Sequence, residues 1–272
     1  MSILYVVGTP IGNLEDFSPR AIEILNQVDF IAAEDTRVTL KLLNHFGIKK
    51  QMISYYEHNL RQRGEMIVSR ILAGESCAVV SDAGMPCISD PGEDLVYICA
   101  QAGIPVRVVP GPSAAISALA ISGLPTSRFT FEGFLSTSKR NRTDHLETVR
   151  HEHRTMIFYE APHKLCNTLE DMAKVFGLER RLSICRELTK IYEEVLRTTF
   201  EEAIIYYQTH KPKGEYVLVV QGAPIQETKL TLEDAVNLAK QLIAQGEKTT
   251  DAAKKVAKQT SFSKADIYKQ LM

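Results

Sequence analysis

Short apolar segments alternate with longer amphipathic segments through the first half of the chain. Apolar segments of this kind are typical of strands that are buried on both faces of a parallel sheet. They lie at residues 3–7, 30–33, 77–80 and 106–109. Between them, apolar residues recur at helical spacing, as at Ala21, Leu25 and Val28. This alternation predicts an α/β fold with a largely parallel sheet covered by helices.

The helices of this half have recognisable ends. Ser18 and Pro19 are typical of a helix N-cap and a first-turn proline. Later helical segments are expected to end at Gly47, Gly74 and Gly103, since glycine commonly terminates helices in a left-handed conformation.

The strand and helix pattern restarts after Gly123-Leu124-Pro125. Further strands are predicted at residues 129–132, 155–160, 182–186 and 216–221, with helices between them. The polar stretch 136–142 is predicted to be an exposed loop. We therefore expect two α/β domains, at residues 1–125 and 126–224, with a cofactor cleft between them.

Residues 225–272 have a different character and form a predicted third unit. Helical segments are expected at 231–245, 250–259 and 263–271, with a short turn before the last one. This arrangement resembles a helix-turn-helix unit. A small helical cap that completes the second domain is an equally good interpretation.

Composition excludes several classes of protein. No apolar run approaches the roughly 20 residues needed to cross a bilayer, and we expect no secretion signal at the N-terminus, since no basic region or cleavage site is recognisable there. The five cysteines are widely spaced without a Cys-x-x-Cys pair, so we expect a reduced, cytoplasmic protein with no metal site. The net charge is −1, so any binding of nucleic acid must depend on local basic patches.

Three loops follow predicted strands at the edge where α/β sheets bind ligands. They span residues 8–13, 81–92 and 109–115 and are rich in glycine and proline. Ser113 is placed to begin a helix, whose N-terminal N–H groups attract anions. None of the loops has the glycine fingerprint of dinucleotide-binding folds. The alternatives are a structural turn for the first loop, a long loop with Asp90 as a helix N-cap for the second, and a simple capped helix for the third.

Two polar stretches follow strands of the second half. Residues 158–163 combine a carboxylate with an aromatic ring, and residues 185–190 place three charges together. Surface ion pairs are the alternative interpretation for these charges and for Glu193 and Glu194 just beyond them, and we prefer it for Glu194.

Taken in order, these segments form a signature that covers residues 3 to 270. Its motifs are VGTPIGN at 7–13, AEDTR at 33–37, SDAGMPCISDPG at 81–92, PGPSA at 110–114, EGF at 132–134, YEAPH at 159–163 and CRELTK at 185–190. The signature resembles that of the RsmI family of small-subunit (16S) ribosomal RNA methyltransferases, which have the tetrapyrrole-methylase fold. This chain carries Met85 and Cys87 where family members often have other residues.

The resemblance implies S-adenosylmethionine as methyl donor, the ribose 2′-hydroxyl of a cytidine in the decoding region as target, and a homodimer. The implied cofactor-binding residues are Pro10, Ile11, Asp82, Ala83, Gly84, Met85, Pro86, Ser113, Ala114, Phe134, Tyr159, Glu160 and Ala161.

A ribose hydroxyl reacts once its proton is removed or strongly hydrogen-bonded. Candidate bases are Glu160, Glu187 and Lys190, with Arg186 to orient a phosphate or the 2′-oxygen, and the sequence does not decide among them. Candidate RNA contacts are the basic residues Lys139, Arg140 and Arg142, together with Glu34, Asp35 and Arg37. A solvated surface is the alternative for the basic stretch.

Other functions compete with this hypothesis. The same fold methylates tetrapyrrole precursors, so a small-molecule methyltransferase is the nearest alternative. A noncatalytic RNA-binding or ribosome-assembly factor would keep the fold without turnover. The basic stretch at 139–142 and the helical C-terminal unit favour RNA.

Overall fold

The computed structural model describes residues 2–56, 60–224 and 231–272. The chain divides into two compact units, Met1–Ala223 and Pro224–Met272. Both predicted α/β domains fall in the first unit. The predicted start of the third domain, at residue 225, lies outside the described residues.

The first sheet has five strands, all parallel, in the order β3-β2-β4-β1-β5. Its strands are β1 (Ile3–Val7), β2 (Phe30–Ala33), β3 (Gln51–Ser54), β4 (Ser76–Val80) and β5 (Val106–Val109). The sequence predicted four of them and missed β3. This short edge strand has polar residues at both ends and therefore no long apolar run.

Helices cover both faces of this sheet, as predicted. They are α1 (Pro19–Gln27), α2 (Thr36–His45), α3 (Leu60–Leu72) and α4 (Glu93–Gln101). The N-cap at Ser18 is confirmed, because its side chain accepts a hydrogen bond from the Ala21 amide. In α3, Ile67 and Ile71 are fully buried, whereas the last residue, Leu72, is 60% exposed.

The second sheet is mixed and has the order β6-β7-β10-β8-β9. Its strands are β6 (Phe129–Phe134), β7 (Thr155–Glu160), β8 (Arg181–Arg186), β9 (Glu194–Thr199) and β10 (Tyr216–Val220). Strands β6 and β7 are parallel, while β10 runs antiparallel to β7 and β8. The sequence missed β9, an edge strand in which Glu194 and Arg197 are exposed.

Two groups of helices pack on opposite faces of the second sheet. They are α5 (Ala114–Ile121) on one face, and α6 (Lys139–Thr148), α7 (Leu165–Phe176) and α8 (Phe200–Thr209) on the other. Helix α5 follows the last strand of the first sheet, yet Ala115, Ala118 and Leu119 pack against Ile157 and Val217 of the second sheet. Burial of α5 therefore joins the two halves of this unit.

The polar stretch 136–142 is not a loop throughout, which corrects the prediction. Helix α6 begins at Lys139, with Ser138 as its N-cap residue. Its inner face holds Leu146, which is fully buried, and Arg142, whose guanidinium forms an ion pair with Asp171 of α7 at 2.7 Å. A helix with so few apolar residues gives almost no periodic signal, because an ion pair replaces part of the usual apolar face.

The C-terminal unit contains the three predicted helices. They are α9 (Leu232–Ala244), α10 (Thr249–Gln259) and α11 (Lys264–Leu271). A capping box between Thr231 and Asp234 begins α9. The small core of the unit includes Ala239, Val256 and Ile267, all almost fully buried.

Two further sequence expectations concern membranes and cysteines. Among the described helices, none combines the length and apolar character that a membrane span needs. All five cysteines lie in the described residues, and each is a free thiol.

Candidate functional site

The three loops predicted from the first sheet interlock at the carboxyl ends of β1, β4 and β5. The Thr9 amide donates to the Gly84 carbonyl at 2.8 Å, and the Gly84 amide donates back to Thr9 at 3.1 Å. The Gly8 amide donates to the Val109 carbonyl at 3.0 Å. These bonds fix the backbone of all three loops relative to one another.

Glycine is required where two of these loops touch. A Cβ atom added to Gly8 would lie 2.7 Å from the Cα atom of Gly111, and one on Gly111 would lie 2.8 Å from the Cα atom of Gly8. Met85 fills the adjoining space, with its sulfur 3.3 Å from the Gly111 amide nitrogen. The first wall of the site is therefore made largely of closely packed backbone.

An aromatic cluster from the second sheet forms the facing wall. The ring of Tyr159 lies 5.1 Å from that of Phe131 and 5.3 Å from that of Phe134, measured between centroids. The pairing of β6 with β7 shifts register between Phe131 and Gly133, and Gly133 has φ of 64°. This bulge places Phe134 beside Tyr159, on the same face of the sheet as Phe131.

Tyr159 also connects this wall to helix α5. Its hydroxyl oxygen accepts a hydrogen bond from the Ala115 amide at 3.3 Å, in the first turn of the helix. Burial raises the pKa of this phenol, so it stays neutral at physiological pH. The contact orients the N-terminus of α5 toward the space between the walls.

Between the two walls lies a cavity of about 520 Å³. Ten of the thirteen predicted cofactor residues line it. Those from the first half are Ile11, Ala83, Gly84, Met85, Ser113 and Ala114, and those from the second half are Phe134, Tyr159, Glu160 and Ala161. The lining also contains residues outside the predicted cofactor set, among them Ile88, Ser89, Asp90, Cys185, Leu188 and Glu215.

Three predicted cofactor residues, Pro10, Asp82 and Pro86, are absent from the lining of this cavity. The Asp82 carboxylate instead accepts a hydrogen bond from the Asp35 amide at 3.1 Å, and the Asp82 amide donates to the Glu34 carboxylate at 3.3 Å. Asp82 thus joins the loop after β4 to the loop after β2. Burial raises the pKa values of Glu34 and Asp82.

Asp90 lies close to these carboxylates and lines the cavity. Burial and the charges of Glu34 and Asp82 raise its pKa to about 6, against the opposing effect of a hydrogen bond with Ser81. In the sequence, Asp90 is one of two aspartates in a polar loop that follows a strand. Many residues in such loops have no role in a binding site, so this position alone does not identify Asp90.

The four candidate catalytic residues are not equivalent in the structure. Glu160 is 4% exposed, and its carboxylate accepts hydrogen bonds from the Thr168 hydroxyl at 2.5 Å and the Ala161 amide at 2.8 Å. Thr168 belongs to α7, which packs on the face of the second sheet away from Tyr159. These contacts favour a structural role for the Glu160 carboxylate.

Arg186, Glu187 and Lys190 belong to a network of ion pairs at the carboxyl end of β8 and in the loop that follows it. The Lys190 ammonium lies 2.9 Å from Glu187 and 2.7 Å from Glu215, and Arg186 lies 3.2 Å from Glu194. Glu215 lines the cavity. The network therefore stands at the cavity wall, with its charges largely paired.

The predicted RNA contacts divide into two groups. Lys139 and Arg140 are exposed on the outer face of α6, whereas Arg142 has a side chain only 13% exposed and bonds inward to Asp171. Arg37 is 87% exposed and pairs with Asp35 at 2.6 Å, and this pairing holds the Asp35 pKa at about 2.

The two sheets line one cavity, so both halves of the unit Met1–Ala223 contribute residues to this candidate ligand-binding site. No cluster of His, Cys, Asp and Glu suited to a metal ion occurs in the described part of the chain. Residues 3–204 match the family model of tetrapyrrole (corrin/porphyrin) methylases.

The sequence has close relatives along its whole length. It is 47% identical to ribosomal RNA small subunit methyltransferase I of Synechocystis, over 98% of this chain and 96% of that protein. It is also 47% identical to the methyltransferase I of Halalkalibacterium halodurans, over 97% and 93% of the two chains. The chain therefore belongs to the tetrapyrrole methylase family and, within it, groups with the ribosomal RNA small subunit methyltransferases I.

Solved structures with the same fold have much lower sequence identity. A diphthine synthase matches with a TM-score of 0.60 and 13% identity, over 81% of this chain and 89% of that one. A uroporphyrin-III C-methyltransferase from Thermus thermophilus, complexed with S-adenyl homocysteine, matches with a TM-score of 0.57 and 15% identity, over 80% and 96%. These similarities confirm the predicted two-sheet architecture.

Proposed function

We propose that this protein transfers a methyl group from S-adenosylmethionine to the ribose 2′-hydroxyl of a cytidine in the decoding region of small-subunit ribosomal RNA. The observation that carries the proposal is the cavity shared by the two sheets, in a chain so similar to the small-subunit methyltransferases. Ten residues assigned to the cofactor from the sequence line that one cavity.

The residues of the cavity fit the chemistry of S-adenosylmethionine. Its volume of about 520 Å³ lies within the roughly 300 to 1,000 Å³ typical of small-molecule sites. Phe134 and Tyr159 offer aromatic surface to a purine ring. The Asp90 carboxylate adds negative charge that suits a ligand with a positive charge, and Ser113 and Ala114 bring the N-terminus of α5 to the cavity, where the helix dipole attracts a carboxylate.

Bound S-adenosylmethionine supplies an activated methyl group on a sulfonium, and the displacement is in line, so orientation contributes much of the rate. The interlocked loops hold Gly84 and Ala114 in place on one side, and the aromatic cluster limits movement on the other.

Exposed basic residues support RNA as the substrate. Lys139 and Arg140 on α6 can contact phosphates, which set affinity and salt dependence. The C-terminal unit adds Lys254, Lys258 and Lys264 on the exposed surface of α10 and α11. Arg142 is turned away from the exposed face of α6 by its ion pair with Asp171, so on this helix we assign RNA contact to Lys139 and Arg140 only.

The resemblance to the family also motivates two further proposals: the protein forms a homodimer, and it is located in the cytoplasm. Light scattering on the purified protein tests the dimer: a mass of twice 30.4 kDa supports it, and a mass of 30.4 kDa contradicts it. Fractionation of cells tests the location.

The function is tested by transfer of labelled methyl from S-adenosylmethionine to small ribosomal subunits from a strain lacking the gene. The labelled RNA is then hydrolysed in alkali. Ala114→Phe places a ring in the cavity and should abolish transfer, whereas Ala120→Phe, on the exposed side of the same helix, should retain it.

Each outcome has a distinct meaning. Label in an alkali-resistant dinucleotide supports 2′-O-methylation. Label in ordinary mononucleotides contradicts it and moves the reaction to a base. Binding of S-adenosylmethionine with no label on RNA favours a tetrapyrrole-type substrate, and absence of cofactor binding favours a noncatalytic RNA-binding or assembly role.

A further inference from the structure

A second cavity adjoins the cofactor cavity. It is a groove of about 770 Å³, and its lining includes Glu34, Glu93, Asp94 and Tyr97. Among the described residues, Ser89 and Asp90 line both the groove and the cofactor cavity. Ser89 and Asp90 therefore lie between the groove and the cavity, and of the two only Asp90 has an ionisable side chain.

The chemistry of the groove selects what can enter it. Its carboxylates repel the phosphates of RNA, so the backbone must remain outside. They accept hydrogen bonds from an exocyclic amine, as acidic side chains do from the N4 amine of cytosine. Tyr97 is 64% exposed at the groove and offers a ring on which a base can stack. A nucleobase that carries an amine fits this combination of charge and aromatic surface.

The surroundings of Asp90 suit a group that receives a proton near neutral pH. The groups that face it are the carboxylates of Glu34 and Asp82, the Cys87 thiol and the Tyr159 phenol. Burial raises the pKa of Cys87 to about 11 and raises that of Tyr159, so both are neutral where Asp90 titrates. With its own pKa raised to about 6, Asp90 is mostly ionised at pH 7 and is a stronger base than an ordinary aspartate.

We propose that the groove receives the unstacked target nucleoside, with its base against Tyr97, and that Asp90 accepts the proton of the reacting ribose hydroxyl. This inference rests on the proposed function and adds a substrate pocket and a catalytic residue to it. The ribose oxygen forms a bond to the methyl carbon as the bond from that carbon to sulfur breaks, with its electron pair left on sulfur. The hydroxyl proton passes to the Asp90 carboxylate and then to solvent.

The base pocket is tested by binding without chemistry. Unmodified small subunits are titrated with protein saturated with S-adenosylhomocysteine. Tyr97→Ala should weaken binding about tenfold or more, because a stacked base is lost, while Tyr97→Phe should stay within about twofold of the wild type. Tyr206→Ala is the control and should bind like the wild type. Tyr206 lies on α8, which packs on the face of the second sheet that is turned away from the cofactor cavity.

The role of Asp90 is tested by single-turnover methyl transfer across pH. Wild-type rates should rise with pH and level off above about 6, the raised pKa of this group. With S-adenosylmethionine at saturation, so that a change in cofactor affinity does not contribute, Asp90→Asn should lower the rate at pH 7.5 by about 100-fold or more and remove this rise. Asp90→Glu should restore part of the rate. Glu23→Gln, an exposed carboxylate on α1, is the control.

Two results would overturn the inference: an unchanged single-turnover rate in Asp90→Asn, or unchanged subunit affinity in Tyr97→Ala. Both require a wild type that methylates the subunits. A wild type that binds no S-adenosylmethionine or leaves the RNA unlabelled contradicts the proposed function itself, so the two failures are distinguishable.

Discussion

The two sheets build their walls of the cofactor cavity in different ways. The first sheet is wholly parallel, and the loops after β1, β4 and β5 meet at one edge as interlocked backbone. The second sheet is mixed, and its contribution near the cavity comes from large side chains, chiefly Phe134 and Tyr159. One wall is thus fixed by main-chain hydrogen bonds and glycine contacts, and the other by aromatic packing.

This difference determines how each wall should respond to substitution. A closely packed backbone cannot yield locally, so a single added methyl group disturbs all three loops. An aromatic side chain at the cavity surface can be removed while its strand stays paired. Damage to the first wall should therefore reduce stability and binding together, whereas damage to the second should reduce binding alone.

The largest expected effect is that of Gly8→Ala. The new Cβ would meet the Gly111 backbone at 2.7 Å, so the loops must separate. We expect a loss of about 3 kcal/mol in the free energy of unfolding and about 100-fold in cofactor affinity. Gly47→Ala is the control: its φ of 68° is strained for alanine but nothing lies within 4 Å. It should cost about 1 kcal/mol and leave cofactor affinity unchanged.

Next in size is Arg142→Ala, which contrasts the two faces of one helix. It leaves the carboxylate of Asp171, in a side chain only 10% exposed, with Lys174 as its remaining ion-pair partner. We expect the free energy of unfolding, measured by chemical denaturation, to fall by about 3 kcal/mol. The double change Lys139→Ala with Arg140→Ala should cost less than about 1 kcal/mol but lower the salt slope of RNA binding by about 1.4. Reversed results would contradict the assignment of the two faces.

Phe134→Ala should have a smaller effect and tests the second wall. The side chain is 56% exposed and lies beside Tyr159, so its removal leaves the strand pairing intact. We expect S-adenosylhomocysteine to bind about tenfold more weakly, measured by calorimetry, with the free energy of unfolding changed by less than about 1 kcal/mol. A large loss of stability would mean that the aromatic wall is part of the core.

The smallest effect concerns Asp90 and has a defined sign with pH. Its pKa in the folded protein, about 6, lies above the ordinary value of 3.8. The stability tied to its protonated form is therefore complete below pH 4 and is lost as pH rises through about 6. At pH 7.5 the free energy of unfolding of Asp90→Asn should exceed that of the wild type by about 1 kcal/mol, a value reduced to allow for solvent around the half-exposed carboxyl. This advantage should vanish toward pH 4.

Much of the first wall could be predicted from the sequence. Parallel strands bring their carboxyl ends to one edge, so the loops at 8–13, 81–92 and 109–115 had to meet once the strands were recognised. Glycine and proline in those loops further indicated tight turns and a close approach of the backbone to a ligand. The same argument placed Tyr159 at the end of β7.

Other features depend on contacts between distant residues and leave no local pattern. The inward direction of Arg142 depends on Asp171, twenty-nine positions away. The Glu160 carboxylate points to Thr168 because strand residues alternate between faces, and the sequence does not say which face bears the cavity. The bulge that positions Phe134 depends on the pairing of β6 with β7, and the position of Asp90 between two cavities depends on the packing of both sheets.

The most direct test of the shared site is a crystal structure of the protein bound to S-adenosylhomocysteine. We predict one ligand molecule per chain, in contact with Gly84 and Ala114 of the first wall and with Phe134 or Tyr159 of the second. A ligand held by only one of the two sheets, or bound outside this cavity, would contradict the account.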